Sequence, residues 1–563
     1  MKGKVIVSAI SIILVVGVVI GIVAGIHRNG TSASGSTMSA SMKAVSSICA
    51  PTDYKEACMS SLDSVAQNAS ATPKDFIQAA VQATIEEVNK AFNLSVSLVD
   101  STNDTRERMA LGDCQELLQY AITELQASFA MVGDSDLHTM NDRVAELQNW
   151  LSAVVSYQQT CLDGVTQPQV KSAMQNGLLN STQLTSNALA IVSEISTILS
   201  AFNIKININP SSRRLLGTTQ VDQEGYPTWF SAADRKLLAA GGNKGNPRPN
   251  AVVAKNGSGQ YRTIAAALAA YPKNLKGRYV IYVKAGIYDE YITVEKNQVN
   301  VFIYGDGPRK TIVTGRKNNR DGFSTFKTAS FSAIGKGFIA RSMGFRNTAG
   351  PEGHQAVALR VQSDLSAFFN CRVDGYQDTL YVQAHRQFYR NCVISGTVDF
   401  IFGDSATIIQ NSLIIARRPM DNQQNTVTAQ GRADKRETTG LVIHNCRIVP
   451  EVKLFPARFK IPSYLGRPWK EYSRTVIMET TLGDFIQPAG WMPWAGDYAL
   501  NTLFYAEYAN RGPGARTNRR VRWRGYKVIT NRNEALQYTA GRFIQGNLWL
   551  KYTGAPFLLG LKH

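Results

Sequence analysis

One short pattern constrains this chain more than anything else in it. Asn-Cys/Ser-x-Ile/Val begins at Asn370, Asn391, Asn411 and Asn445. Asp378 and Asp399 lie 21 residues apart, each eight residues past its asparagine. An earlier Phe-Arg-Asn places Asn347 one interval upstream, with Gln355 eight residues past it. A period near 20 with short β-rich segments marks a β-solenoid, in which each turn stacks on the last. Equivalent positions on successive turns then sit roughly 4.8 Å apart. Gln355, Asp378 and Asp399 are therefore expected to form one column on a rigid outer face. Two carboxylates and an amide converging there suit a hydrolytic site.

The chain has 563 residues, too many for one ordinary core, so two or more domains are expected. Charge is unevenly spread. Residues 1–240 carry 16 Lys+Arg and 21 Asp+Glu, against 45 and 21 in residues 241–563. The basic half should attract a polyanion in a salt-dependent way. Nucleic acid and an acidic polysaccharide fit equally well on charge alone. Lys2 and Lys4 precede an uncharged run of 22 residues, Val5 to Ile26, which predicts entry into the secretory route. The run serves either as a cleaved signal or as a transient membrane anchor. Secretion permits disulfides. Cys49, Cys58, Cys114 and Cys161 form an even set with two bridges to make. Cys371 and Cys392 share a phase of the repeat and could bridge adjacent turns, leaving Cys446 as a buried thiol. Sequons at Asn29, Asn68, Asn93, Asn103, Asn180 and Asn256 suit a secreted glycoprotein.

Four regions follow. Residues 1–42 are the signal or anchor with a short spacer. Residues 43–203 read as helical: Val144, Leu147, Leu151, Val154, Tyr157 and Cys161 step by three and four along one apolar stripe. A disulfide-stapled antiparallel four-helix bundle is the expected solution. Residues 204–250 lose periodicity and carry Arg213-Arg214-Leu215-Leu216 and Arg235-Lys236-Leu237-Leu238, paired basic residues that invite proteolysis. Residues 251–563 turn strand-like, with Tyr279–Lys284, Val299–Tyr304 and Thr407–Ala416 as β-branched or aromatic runs. Basic and aromatic residues crowd Arg511–Arg524.

Three segments carry chemistry: DGYQDTL at Asp374–Leu380, GTVDFIFG at Gly396–Gly403 and LGRPW at Leu465–Trp469. With GHQAVALR at Gly353–Arg360, RQFYRNC at Arg386–Cys392 and VAKNGSGQYRTI at Val253–Ile264, the chain resembles plant pectin methylesterases over nearly its whole length. The helical first half resembles the pectin methylesterase inhibitor fold, fused as a pro-region. The resemblance implies a right-handed parallel β-helix that hydrolyses methyl esters of galacturonic acid units and needs no cofactor or metal. It implies Asp399 as nucleophile, Asp378 as acid/base, and Gln377 and Gln355 as oxyanion donors. Arg467 and Trp469 would hold substrate, and Thr325 would contribute to the sugar subsites. It further implies a secreted monomer of the cell wall or apoplast, made as a zymogen. Its partners would be pectin, a subtilisin-like processing protease and inhibitor proteins, with no nucleic acid.

The residues support those roles on chemical grounds. No Gly-x-Ser-x-Gly elbow occurs, so a serine hydrolase is disfavoured. A carboxylate can attack the ester carbonyl to give an acyl-anhydride. Glutamine amides supply uncharged N–H donors for the oxyanion. A neighbouring carboxylate keeps Asp378 protonated, ready to protonate methanol and then activate water. Arg467 can hold Asp399 bidentately. Gln377 and Asp378 are adjacent, however, and strand neighbours point to opposite faces, so the backbone must bend; Gly375 is the obvious place. Asp374 reads as a turn former. Tyr381 and Phe400 fit either subsite aromatics or core. The rivals are a pectate lyase or polygalacturonase on the same fold, and a catalytically silent wall-binding protein.

Overall fold

A computed structural model describes residues 40–68, 70–136, 140–201 and 247–562. The apolar run Val5–Ile26, the sequon at Asn29 and both paired-basic motifs lie outside them. Among the described residues no helix is long and apolar enough to cross a membrane. The five described sequon asparagines, Asn68, Asn93, Asn103, Asn180 and Asn256, are all exposed.

The first region is helical: α1 (Ala40–Cys49), α2 (Lys55–Ala66), α3 (Pro73–Ser101), α4 (Thr105–Asp134), α5 (Val144–Gly164), α6 (Pro168–Ser193) and α7 (Ile195–Ala201). The long helices α3 to α6 form the bundle. Thr72 and Asp75 make a capping box at the start of α3, with Pro73 in its first turn. Asp104 caps α4 by accepting from the N–H groups of Arg106 and Glu107. Disulfides join Cys49 to Cys58 and Cys114 to Cys161, the second tying α4 to α5. In α5 the expected stripe is buried from Leu147 to Cys161, but so are Asn149, Ser152, Ala153 and Ser156 on other faces. A helix buried all round has a neighbour on each side. The second neighbour of α5 is the β domain.

From Ala251 the chain winds into three parallel sheets of 11, 7 and 8 strands. One coil runs from Ser366–Phe369 in the 11-stranded sheet to Arg372–Asp374 in the 8-stranded sheet. It then passes through Leu380–Val382 in the 7-stranded sheet and returns as Arg386–Arg390. Side chains that point inward stack coil on coil: Phe368 lies parallel to Tyr389 at 4.7 Å, and Val373, Ile394, Ile414 and Ile448 are fully buried.

The asparagine pattern marks one corner of this solenoid. Asn370, Asn391, Asn411 and Asn445 all have φ between 50° and 53° and link the 11- and 8-stranded sheets. Asn tolerates this left-handed conformation better than most residues. The amides form a ladder: Asn411 Nδ2 donates to Asn391 Oδ1 at 2.6 Å, and Asn445 Nδ2 to Asn411 Oδ1 at 3.3 Å. Asn347 does not belong to it. The residue below Asn370 is Ser342, 28 positions earlier, whose Oγ accepts from Asn370 Nδ2. Asn347 is instead buried, donating to carbonyls of Lys317 and Val357.

The expected Cys371–Cys392 bridge is not formed: both thiols, and Cys446, are free and buried. In-register parallel strands send equivalent side chains out side by side, whereas a disulfide needs Cβ atoms that converge. Each sulfur donates to backbone carbonyls instead, Cys371 to Phe369 O and Cys392 to Arg390 O, both at 3.4 Å. Burial pushes the Cys446 thiol up to about 12.

The C-terminal segment folds back along the 11-stranded sheet. Gln410 donates to Leu558 O and accepts from Leu558 N–H, each at 2.9 Å. The Lys562 N–H donates to Glu479 Oε2 at 2.8 Å, and that carboxylate is also 2.7 Å from His444 Nε2.

Candidate active site

Asp378 and Asp399 stand where the chain leaves the 8-stranded sheet and enters the 7-stranded one. The register Leu380↔Ile401 places them on equivalent positions of adjacent coils. Both are non-glycine residues with positive φ, 59° at Asp378 and 50° at Asp399. Such geometry costs on the order of 1–3 kcal/mol per residue and concentrates at working sites. The bend that lets Gln377 and Asp378 serve one site is thus at Asp378 itself, not at Gly375. Tyr376 and Asp378 even pair across it in an isolated bridge.

Asp399 is held on every side. Arg467 Nε donates to its Oδ1 at 2.8 Å and Nη2 to its Oδ2 at 2.6 Å. The Thr426 hydroxyl donates to Oδ1 at 2.6 Å and accepts from the Asp399 N–H at 2.8 Å. This charge-assisted fork keeps the carboxylate aimed. Arg467 in turn lies 4.4 Å from the centre of the Trp494 ring. The Asp378 carboxyl has no hydrogen-bond partner among the described residues, and its backbone N–H reaches Val398 O. Burial, and then the Asp399 charge, push its pKa well above the usual carboxylate range, against the pull of Arg467. The two aspartates thus have unequal surroundings, one held by Arg467 and Thr426 and the other buried without a side-chain partner among the described residues.

Gln355 departs from expectation. Just before Leu359 the register slips, the N–H groups of Ala358 and Leu359 both bonding Thr379 O, and Ala356, not Gln355, takes the place below Asp378. Gln355 and Gln377 are nonetheless on neighbouring coils, with the N–H between them, that of Ala356, bonded to Gln377 O. Neither side-chain amide has a partner among the described residues, so both are free to donate.

Beside the aspartates the outer face of the 7-stranded sheet carries a row of in-register residues: Ser332, Arg360, Tyr381, Phe402 and Ala429. Tyr381 and Phe402 stack at 4.3 Å, and Trp469 meets Phe402 edge-on at 5.9 Å. Gly431 leaves room for Trp469, because a Cβ there would come within 2.8 Å of the indole. Phe400 faces the core instead and is fully buried. Thr325 opens a short helical turn, Thr325–Thr328, whose Phe326 stacks under Arg360 at 3.8 Å. Thr426, Phe402 and Trp494 escape sequence reasoning. Thr426 is the neighbour of Asp399 one coil on, and only the coil length, 27 residues here, reveals it.

The helical bundle lies across this row. Thr160 Oγ1 is 3.1 Å from Tyr381 Oη, Ser156 Oγ donates to Gln383 O at 2.7 Å, and Asn149 Nδ2 is 3.2 Å from His385 Nδ1. Around these contacts, acidic side chains of the bundle meet basic ones of the β domain. Glu124 pairs with Lys296, Glu116 with Lys327, Glu146 with Arg386, and Asp163 with Lys470.

Comparison with known proteins matches this division. A family model described as Pectinesterase matches residues 250–547, and one described as Plant invertase/pectin methylesterase inhibitor matches residues 43–191. The chain belongs to the pectinesterase family. It is 43% identical over its whole length to "Probable pectinesterase/pectinesterase inhibitor 21" of Arabidopsis thaliana, covering 83% of that protein. It is also 43% identical to "Pectinesterase/pectinesterase inhibitor 3" of the same plant, covering 97%. Among solved structures, "Pectin methylesterase from Carrot" is 53% identical, with a TM-score of 0.56; the match covers 56% of this chain and 99% of that one. The β domain is thus the right-handed parallel β-helix of carboxylic ester hydrolases of this family, preceded by an inhibitor-like helical domain.

Proposed function

We propose that this pectinesterase-family chain removes methyl groups from galacturonic acid units of cell-wall pectin through Asp399 and Asp378. The observation that carries the reading is the unequal pair: one aspartate clamped by Arg467 and Thr426, the other buried beside it with its pKa pushed well above the usual carboxylate range. The Asp399 carboxylate attacks the ester carbonyl carbon. The carbonyl oxygen becomes an oxyanion, met by the amides of Gln355 and Gln377. As the tetrahedral species collapses, the C–O bond to methoxide breaks and Asp378 delivers its proton, so methanol leaves. The acyl-anhydride on Asp399 is then attacked by water, with Asp378 taking the proton back. Tyr381, Phe402 and Trp469 offer ring faces to the sugars, and Thr325 contributes at the Arg360 end.

The helical domain acts as a pro-region that masks the groove. Cleavage at Arg213–Leu216 or Arg235–Leu238 by a subtilisin-like protease releases a monomeric enzyme into the apoplast. Separate inhibitor proteins would use the same row of residues.

Incubating the cleaved protein with methylated pectin tests this. Methanol release without chain shortening is expected, and Asp399→Asn should abolish it while pectin binding persists. Unsaturated ends would instead mean a lyase. A cleaved protein that binds pectin but frees no methanol would mean a silent wall-binding module.

A further inference from the structure

A well-formed cavity lies away from the aspartates. It is a groove of 560 Å³ on the outer face of the 8-stranded sheet, behind the Asp374–Asp378 turn. Its floor is a row in strict register across five strands: Arg346, Asp374, Ser395, Ile415 and Val449. Four strand spacings make it roughly 19 Å long, and it runs across the strands. That is the shape of a site for an extended polymer.

The charges in the groove are matched except for one. Arg372 Nε pairs with Asp374 Oδ2 at 2.5 Å, and Ser395 Oγ donates to Asp374 Oδ1 at 2.7 Å. Arg417 donates to Glu451, to Gly375 O and to Tyr376 Oη, and lies 3.9 Å from the Tyr376 ring. The Arg346 guanidinium has no partner among the described residues. The rim is apolar: Pro450 lines it, and Val452 is 87% exposed. A surplus guanidinium in a long groove with an apolar lip suits a carboxylate on a sugar chain, and a methyl ester offers it no charge. Among the described residues, the hydrogen bonds and ion pairs that join the helical bundle to the β domain fall on other β-domain residues than those lining this groove, so the groove stays open while the catalytic row is covered.

We propose that this groove is a second galacturonan site, selective for de-esterified units. The proposal rests on the pectinesterase reading above, because it takes the product of that reaction as its ligand. The two sites are the two sides of one turn. Asp374 and Tyr376 line the groove, while Gln377 and Asp378 face the chemistry, and Arg417 fixes the segment between them. A stretch already demethylated would be held at the back of the turn while ester units are worked at the front.

The test uses the full-length protein, in which the catalytic row is masked. A short de-esterified galacturonan oligomer is titrated by calorimetry into wild type, Arg346→Gln and Val452→Asp. The second variant puts an anion at an exposed rim position that carries no folding burden. Binding is expected in wild type, with affinity lost about tenfold in each variant and a weaker salt dependence for Arg346→Gln. A fully methylated oligomer should bind about tenfold more weakly than the acid form. Equal affinity in wild type and both variants, equal affinity for acid and ester, or no binding to the full-length protein would each overturn the proposal. Methanol release by the cleaved Arg346→Gln protein on a small methyl ester should match wild type. Release with no effect of the variants on oligomer binding sinks the groove alone. Absence of release from cleaved wild type sinks the enzymatic reading instead.

Discussion

At the scale of single residues, the site is made by two aspartates in a backbone conformation that most residues avoid. Positive φ turns Asp378 and Asp399 off their strands' alternation and lets neighbouring side chains share one space. Thr426 then locks Asp399 from the next coil. Thr426→Ala should lower kcat about tenfold with little change in KM, since it removes about 1–1.5 kcal/mol of aim from the nucleophile. Steady-state kinetics of the cleaved enzyme decide this, and an unchanged kcat refutes it. Asp378 sets the pH behaviour. Its pKa is raised, so its proton is present at low pH and lost as pH climbs through the raised value. The acid limb of catalysis therefore fails on the alkaline side, and the stability linked to the neutral carboxyl fades over the same rise. Replacing Asp399 by Asn removes the like charge, so Asp378 should titrate lower than in wild type while burial still holds it above the usual range. Infrared titration of the carboxyl band reads this directly. No downward shift would mean that burial alone sets Asp378.

At the scale of elements, the strands and corners were largely legible in the sequence because a parallel solenoid repeats its chemistry. The asparagine corner and the spacing of the two aspartates follow from a period near 20. What was not legible is where that period fails. The coil ending at Asn370 spans 28 residues from Ser342, so Asn347, only 23 residues upstream, is not its equivalent, and counting eight residues on from it put Gln355 in a column to which it does not belong. The thiols misled for a related reason: sharing a phase makes two cysteines neighbours, but also makes them parallel. Helix α5 gave only half its story as well. Its apolar stripe announced the bundle, while its Asn149, Ser152, Ser156 and Thr160, off that stripe, bond His385, Thr438, Gln383 and Tyr381 of the β domain. In α4, Glu124 sits among Lys296, His385 and Tyr157. Burial alone would raise it, yet the His385 and Lys296 charges outweigh that and hold it at about 2. Its contribution to docking is present above the ordinary glutamate value and lost as pH falls toward 2. Glu124→Gln should weaken docking of the cleaved pro-region by about 2 kcal/mol at neutral pH, because it removes the buried carboxylate that pairs with Lys296 across the interface. Surface plasmon resonance between the separated halves checks this, and equal affinity would show that the pairing is decorative.

At the scale of the whole molecule, charge divides the labour. The helical domain of residues 40–201, with 18 Asp+Glu against 8 Lys+Arg, lies on a β domain, residues 247–562, with 44 Lys+Arg against 21 Asp+Glu. The same basic surface that receives the pro-region is left to the polymer once the pro-region departs. For the cleaved enzyme, KM for pectin should therefore rise severalfold between low salt and about 0.3 M while kcat changes little, because surface attraction is screened over roughly 10 Å at 0.1 M and less above it. Product analysis belongs to the same measurement: consecutive demethylation at low salt should give way to scattered demethylation at high salt. Salt-independent KM would place the binding energy in the aromatic row instead.

The returning C-terminal segment has a practical corollary. Leu558 and Lys562 latch onto Gln410 and Glu479, polar side chains that also contact Arg390 and His444. Trimming the last half-dozen residues, or fusing a bulky reporter there, would unbolt that flap and expose Ile408, Val442 and Val476 to water. Laboratory versions of this protein are therefore better labelled at the amino end of the β domain, where cutting is expected in any case.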